Sequence, residues 1–216
     1  MHIEKLEKFD ISTYCLEKGF KSIVKVGSND GVRCDTFHAF MKNTPDLRGL
    51  FVEPLSQFLE RAKENYKGYK NITYKNIAIA EEKGELPFYR LDDKVKEYDP
   101  KVPSYYSLIS SFKIEHIYKH FGDKYNDFIV VDKVPTDTLM NVLIETGFCD
   151  TEILQIDTEG YDYYVLRQLD FKKTKPKLIF FEWNHLPMPE RVAAVEFLSP
   201  FYEVFSLGPD YVCFLK

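Results

Sequence analysis

The chain has 216 residues, 44% hydrophobic and 16% aromatic, enough to bury one sizeable core, which excludes a disordered polypeptide. Its 29 basic and 34 acidic residues are well mixed and leave a net charge of −5, so no basic stripe supports nonspecific nucleic-acid binding. No run approaches the ~20 apolar residues of a membrane span, and residues 1–10 (MHIEKLEKFD) lack an apolar signal core. The cysteines Cys15, Cys34, Cys149 and Cys213 are scattered without metal-type pairing and read as reduced thiols. These bounds predict a cytoplasmic protein with a single domain over residues 1–216.

Residues 3–16 carry apolar positions at Ile3, Leu6, Phe9, Ile11 and Leu16, a loosely helical spacing that makes 1–20 a helical packing segment. An apolar, β-branched run (Ile23, Val24, Val26) then stops at Gly27-Ser28-Asn29-Asp30-Gly31, and a helical pattern follows, clearest over 36–42. Strand, glycine turn and helix in that order present bare backbone N–H groups to a nucleotide-like ligand. A second strand over 49–53 ends in Glu53-Pro54, where an acid can accept both hydroxyls of a ribose. GSNDG lacks the GxGxxG spacing, which turns the reading away from a dinucleotide.

Ser56 is placed as the N-cap of a helix over 57–66, and strands follow at 72–80 and 85–91. Residues 92–112 break the rhythm with Pro100, Pro103, two tyrosines and three serines; loops this long inside compact domains often act as lids. With a helix over 113–121, they are expected on the substrate side. Strands at 128–134, 152–156 and 178–182 alternate with helices at 138–145 (capped by Thr136 or Asp137), 162–169 and 189–198. Residues 202–207 and 211–215, joined by Gly208-Pro209-Asp210, form a closing antiparallel hairpin. The alternation predicts a doubly wound, Rossmann-like α/β sheet, mostly parallel with an antiparallel C-terminal edge hairpin.

Ligands of such a sheet sit beyond the carboxyl ends of its strands. The polar residues there are Ser28, Asn29 and Asp30, then Glu53, Asn76, Asp157 and Glu159 after ILQI, and Glu182, Asn184 and His185 after LIFF. ILQIDTEGYD is the sharpest, four apolar strand residues stopping at an acid with a glycine just beyond. Each has a plainer role open to it: Asp157 could cap the next helix, Glu159 could serve its dipole, Glu53 could be a surface acid and His185 a loop histidine. His38, His116 and His120 have no partner at motif spacing and are read as solvated or packing residues.

At these residues the chain resembles the FkbM-type methyltransferases, S-adenosylmethionine-dependent enzymes that mostly methylate hydroxyl oxygens. The resemblance runs from Lys21 to His185 through VKVGSNDG, GLFVEP, ITYKNIAIA and LQIDTEGYDYYVLRQLDF leading into KPKLIFFEWNH, with IDTEG the most specific block. It implies a class I methyltransferase sheet in which the Gly27–Gly31 turn approaches the methionine and ribose portions of the cofactor. It also implies that Glu53 holds the ribose hydroxyls, Pro54 walls the adenine slot, Asn76, Ile77 and Ala78 reach the adenine edge, and Asp157 lies near the transferred methyl. Lys25 departs from the pattern, since many members carry an acid before the glycine turn.

The expected chemistry is O-methylation of a saccharide, glycan-precursor or small-metabolite hydroxyl, with Asp157 or His185 as general base. A second version places Mg²⁺ on Asp157 and Glu182, assisted by Glu159, Asn184 or His185. The metal-free base is preferred because the sequence shows no compact ligand motif. A non-catalytic S-adenosylmethionine- or nucleoside-binding module, or a scaffold subunit, is the rival class, and the collected strand-end acids argue against it. The sequence leaves oligomeric state open.

Overall fold

The computed structural model describes residues 3–216; Met1 and His2, at the start of the expected N-terminal segment, lie outside them. The chain begins with β1 (Glu4–Lys5), α1 (Ile11–Glu17), β2 (Ser22–Val26), α2 (His38–Lys42), β3 (Arg48–Val52), α3 (Ser56–Asn65) and β4 (Ile72–Lys75). A second unit follows: β5 (Ala78–Ile79), β6 (Gly84–Leu91), α4 (Val95–Tyr98), β7 (Ser110–Ser111), α5 (Ile114–Phe121) and β8 (Ile129–Asp137). The chain then completes the main layer with α6 (Leu139–Thr146), β9 (Ile153–Ile156), α7 (Asp162–Leu166), β10 (Leu178–Glu182), α8 (Met188–Leu198), β11 (Tyr202–Leu207) and β12 (Asp210–Leu215).

The main sheet has the order β1-β11-β12-β10-β9-β2-β3-β4, and β12 alone runs against its neighbours. Strands β2 and β9 are buried along their whole length, which is why apolar residues fall on both faces of each instead of alternating strictly with polar ones. One face packs Val24, Leu154 and Ile179 against residues of α6, α7 and α8, such as Leu143, Val165 and Val195. The other packs Ile23, Phe51 and Phe180 against α1, α2 and α3, through Cys15, Phe40 and Leu59. The sheet is thus doubly wound. From β2 the chain moves to β3 on one side, and from β9 to β10 on the other, so the order reverses between β2 and β9. A crevice opens beyond the carboxyl ends of strands at such a switch point.

The second sheet, ordered β5-β8-β6-β7, stands beside that crevice. Segment 92–112, expected as a lid loop, carries α4, a 3₁₀ turn (Ser104–Ser107) and β7 instead. Leu91, Val95, Val102 and Tyr106 bury against Ile117 and Phe121 of α5 in a small core of their own. The strand expected over 72–80 is split, because its last residues, Ala78–Ile79, leave β4 to pair with β8.

Four other local expectations are corrected. The N-terminal segment is not one helix: Glu4–Lys5 pairs with β11, and Asp10 accepts from the N–H groups of Ser12 and Thr13, so the helix starts after it. Ser56 is the first residue of α3 rather than its cap. Thr138, rather than Thr136 or Asp137, caps α6 by accepting from Asn141 N–H. No helix follows the glycine turn directly, because α2 starts only at His38, so the turn is not backed by a helix N-terminus. No helix among the described residues is long and apolar enough to cross a membrane.

Gly27 decides whether β2 and β9 can end side by side. Its φ is +78°, and a Cβ built there would stand 1.8 Å from the Asp157 carbonyl oxygen. Replacement by alanine forces the backbones apart and also imposes the disfavoured left-handed geometry. Gly27→Ala is expected to destabilise the fold by about 3 kcal/mol or more, lowering Tm by roughly 10 °C. Calorimetry on the variant checks this.

Candidate functional site

The turn after β2 is built from backbone bonds to its neighbours. Gly27 and Ser28 N–H donate to the Val52 carbonyl at 2.9 and 3.1 Å, and Asp157 N–H donates to the Val26 carbonyl at 2.9 Å. Asn29 adopts φ +46° and aims its N–H at Glu53 Oε2, 2.9 Å away, while Leu55 N–H donates to Glu53 Oε1 at 3.0 Å. Both Glu53 oxygens are therefore fixed in orientation, each with lone-pair capacity left. Burial pushes the Glu53 carboxyl up to about 7 against the lowering effect of the Leu55 and Asn29 N–H groups, and the Asp30 charge raises it further.

Around this turn lies a cleft that runs from the glycine turn to the end of β9. Of the residues expected to bind a cofactor, Gly27, Ser28, Asn29, Glu53, Pro54, Ile77, Ala78 and Asp157 line it. Asp30, Gly31 and Asn76 do not. Asp30 instead folds the turn, accepting from Val32 and Arg33 N–H and pairing with the Arg33 guanidinium at 2.5 Å. Gly31 (φ +71°) is a packing position, where a Cβ would meet the Tyr66 and Phe51 rings at 2.8 and 2.9 Å. The Asn76 amide donates to the carbonyls of Glu53 and Pro54, which holds the β3 loop rather than reaching toward a base.

Lys25 lines the cleft and forms an ion pair with Asp35, the two side chains only 2% and 4% exposed. The acid missing before the turn is thus supplied ten residues later, and Lys25 also lies over the Phe51 ring at 5.3 Å. Gln155, beside Lys25 in the β2–β9 register, lines the same cleft. Its Oε1 and the Ser28 Oγ are buried without a hydrogen-bond partner, a cost that a bound polar ligand would relieve.

Across the cleft stand the acids of the β9 and β10 ends. Asp157 opens into the cleft; its enclosed setting and the nearby charges of Glu159, Asp162 and Asp210 raise its carboxyl well above the usual range, with Lys25 opposing. Glu182 is pushed up to about 9 by burial and then by these same acids. Asp162 is fully buried and accepts from the Thr158 hydroxyl at 3.0 Å; burial raises its carboxyl to about 6.

Glu159, at φ +54°, turns away from this group toward α5. Its Oε2 lies 2.7 Å from His116 Nε2 and 3.8 Å from His185 Nε2. His116, His120 and His185 form a triangle of rings with centroids 4.7–4.9 Å apart. Burial, followed by neighbouring positive charge, holds all three below the ordinary histidine value, at about 4, 4 and 3 respectively. His116 and His120, read from sequence as bystanders, are therefore brought onto His185 and Glu159. Their spacing of four on the helix predicted over 113–121 was the available signal. His185 belongs to this triangle and does not line the cleft. The expected Mg²⁺ placement on Asp157 and Glu182 is not supported, since the His/Cys/Asp/Glu donor atoms that converge among the described residues are those of His116, His120, Glu159 and His185.

The family model described as the methyltransferase FkbM domain matches residues 25–205, covering the turn, the cleft and both acid-bearing strand ends. The chain belongs to the FkbM methyltransferase family. A methyltransferase FkbM from Methylobacillus flagellatus KT superposes with a TM-score of 0.53 at 12% identity, over 90% of this chain and 43% of that one. This FkbM chain therefore spans less than half the length of that structure. An O-methyltransferase from Bacillus cereus, solved in complex with SAH, superposes with a TM-score of 0.51 at 9% identity, over 95% of this chain and 78% of that one. The fold is the Rossmann-like one of class I S-adenosylmethionine methyltransferases. None of the curated protein sequences compared with this one matches it.

Removing one partner of the Lys25–Asp35 pair leaves a buried charge unpaired. Lys25→Met is expected to cost about 3–5 kcal/mol in urea unfolding, and Lys25→Met/Asp35→Asn distinctly less.

Proposed function

We propose that this chain is an S-adenosylmethionine-dependent methyltransferase acting on a hydroxyl oxygen of a saccharide or similar polyhydroxylated small molecule. The observation that carries the reading is Glu53, a buried carboxylate whose oxygens are both oriented by backbone N–H groups at the edge of the cleft. Such a carboxylate suits a vicinal diol, which supplies two O–H donors. The orphaned Ser28 Oγ and Gln155 Oε1 and the charged Lys25 fit the polar, zwitterionic methionine end of the same ligand. The SAH complex of the Bacillus cereus fold neighbour supports this choice of cofactor.

When bound, the cofactor supplies an electrophilic methyl group on a sulfonium. Of the two residues expected as base, Asp157 lines the cleft and His185 stands outside it, so the acceptor proton is assigned to Asp157. In its ionised form Asp157 would take the proton of the acceptor hydroxyl, leaving that oxygen nucleophilic toward the methyl group the cofactor would supply. Phe112 and Tyr161, 5.0 Å apart at the cleft wall, give the acceptor an aromatic face of the kind sugar rings stack on. Ser110 adds a hydroxyl beside them. Holding donor and acceptor in line can contribute on the order of 7–11 kcal/mol.

A methyl-transfer assay against nucleotide sugars and glycans, following SAH release, tests the reading; no turnover with any hydroxylated acceptor refutes it. Asp157→Asn is expected to lower turnover by roughly 10²–10⁴-fold with cofactor affinity nearly unchanged. Glu53 must be ionised to accept two hydroxyls. Because its carboxyl in the free protein sits at about 7, S-adenosylmethionine affinity is expected to rise with pH through that value. Between about pH 6 and about pH 8 the rise is roughly tenfold. Calorimetric titration should lose this dependence in Glu53→Gln.

A further inference from the structure

The geometry points to a transition-metal site of the zinc class formed by His116, His120, Glu159 and His185, which clasps the second sheet unit onto the main sheet. One ligand atom from each residue can be chosen so that all four lie within 4.8 Å of one another. Tetrahedral zinc with bonds of ~2.0–2.1 Å needs ligand atoms about 3.4 Å apart, so closing the set takes side-chain movements of about an ångström. Three imidazoles and one carboxylate suit zinc or a neighbouring first-row ion, whereas Mg²⁺ takes oxygen donors.

The sequence builds this set from three separate places. His116 and His120 are one turn apart on α5, so they share a face. Glu159 comes from the loop after β9, where its left-handed backbone turns it toward α5. His185 follows β10, and its backbone carbonyl packs against Gly160. The ring triangle alone could be a hydrogen-bonded network, but the hydrogen bonds do not close. His116 has Glu159, and His185 has the Lys119 ammonium at 3.0 Å on Nδ1 and Glu182 at 3.3 Å on Nε2. His120 Nε2 is buried and has no partner at all. A cation that accepts lone pairs from all three rings satisfies it. Lys119 is exposed and can leave His185 for solvent as the metal arrives.

Four protein ligands make a closed, structural type of site. Its mechanical consequence is clear from the connections. Besides the histidines, the β7–α5 segment meets the chain after β9 through Ser111 Oγ on the Glu159 carbonyl at 3.1 Å, Lys113 Nζ on the Gly160 carbonyl at 3.4 Å, the Phe112 ring against Tyr161 and Lys113 over the Tyr164 ring. A metal would tie α5 to both strand-end loops at once, fixing one wall of the cleft. The site stands whether or not the chain transfers methyl groups, since it rests on the donor set alone.

The test uses the tag-free chain in a Cys34→Ser/Cys149→Ser background, stripped with chelator and titrated with ZnCl₂ against a chromophoric competitor. One equivalent is expected to bind, raise Tm and resist displacement by millimolar MgCl₂. His120→Gln and His185→Gln, checked for folding by circular dichroism, are expected to weaken binding on the order of 100-fold and to lose the thermal shift. Zinc X-ray absorption on the loaded chain gives a readout that needs no ligand variant, with imidazole scattering expected. Absence of stoichiometric binding, unchanged affinity in both folded variants, or a first shell without imidazole would each overturn the assignment.

Discussion

The contact between Gly27 and the Asp157 carbonyl is the constraint on which the rest of the site depends. Two parallel strands end together here, and only a residue without a Cβ lets the turn of one lie against the backbone of the other. The Asp157 N–H on the Val26 carbonyl closes the same junction from the opposite direction. The glycine turn and the acid loop, more than a hundred residues apart in the chain, are thereby held in one rigid corner. Electrostatics then divides the corner. Lys25 with Asp35 lies below the turn, while Asp157 and Glu182 gather across from it, where desolvation and mutual repulsion raise their carboxyls and Lys25 opposes the rise at Asp157.

The second sheet makes a crevice into a cleft. Its own small core around Ile117 and Phe121 lets it keep its shape without merging into the main core. Phe88, Leu108 and Phe112 come from this unit to face the glycine turn. The wall facing the glycine turn is therefore a separate packing unit set against a fixed corner. Its attachment to the β9 loop rests on two hydrogen bonds and the Phe112–Tyr161 contact, so the histidine triangle at that seam bears on how the wall is held.

Most of the main layer was legible because buried parallel strands announce themselves as short apolar runs, and the polar residues at their ends fall where the sheet opens. VKVGSNDG, FVEP, ILQID and LIFFE each predicted a strand with its carboxyl end at the cleft, and each strand is there. The second unit was less legible. Proline, charge and tyrosine in 92–112 resemble a loop, because its burial is supplied by α5 and β6 rather than by any period of its own. Residues whose role comes from long-range pairing were hardest to place. Nothing local in Lys25 says that Asp35 will reach it, and Asp30 looks like a ligand contact until its bonds to Val32 and Arg33 are seen. His116 and His120 carried a helical signal, but its meaning depended on Glu159 and His185 arriving from elsewhere.

The reversed strand has a consequence for how the molecule is made. β12 lies between β10 and β11, so β11 and β1 are joined to the sheet only through the residues that follow them in synthesis. A nascent chain can pair β2, β3, β4, β9 and β10 as it emerges, but the remaining slot stays open until Tyr211, Val212 and Cys213 have left the ribosome. Until then the bare edge of β10 and the apolar side of β11 are available to any other extended segment nearby. A chain without β12 would lose an interior strand and leave the Gly27–Asp157 corner attached to an unclosed sheet.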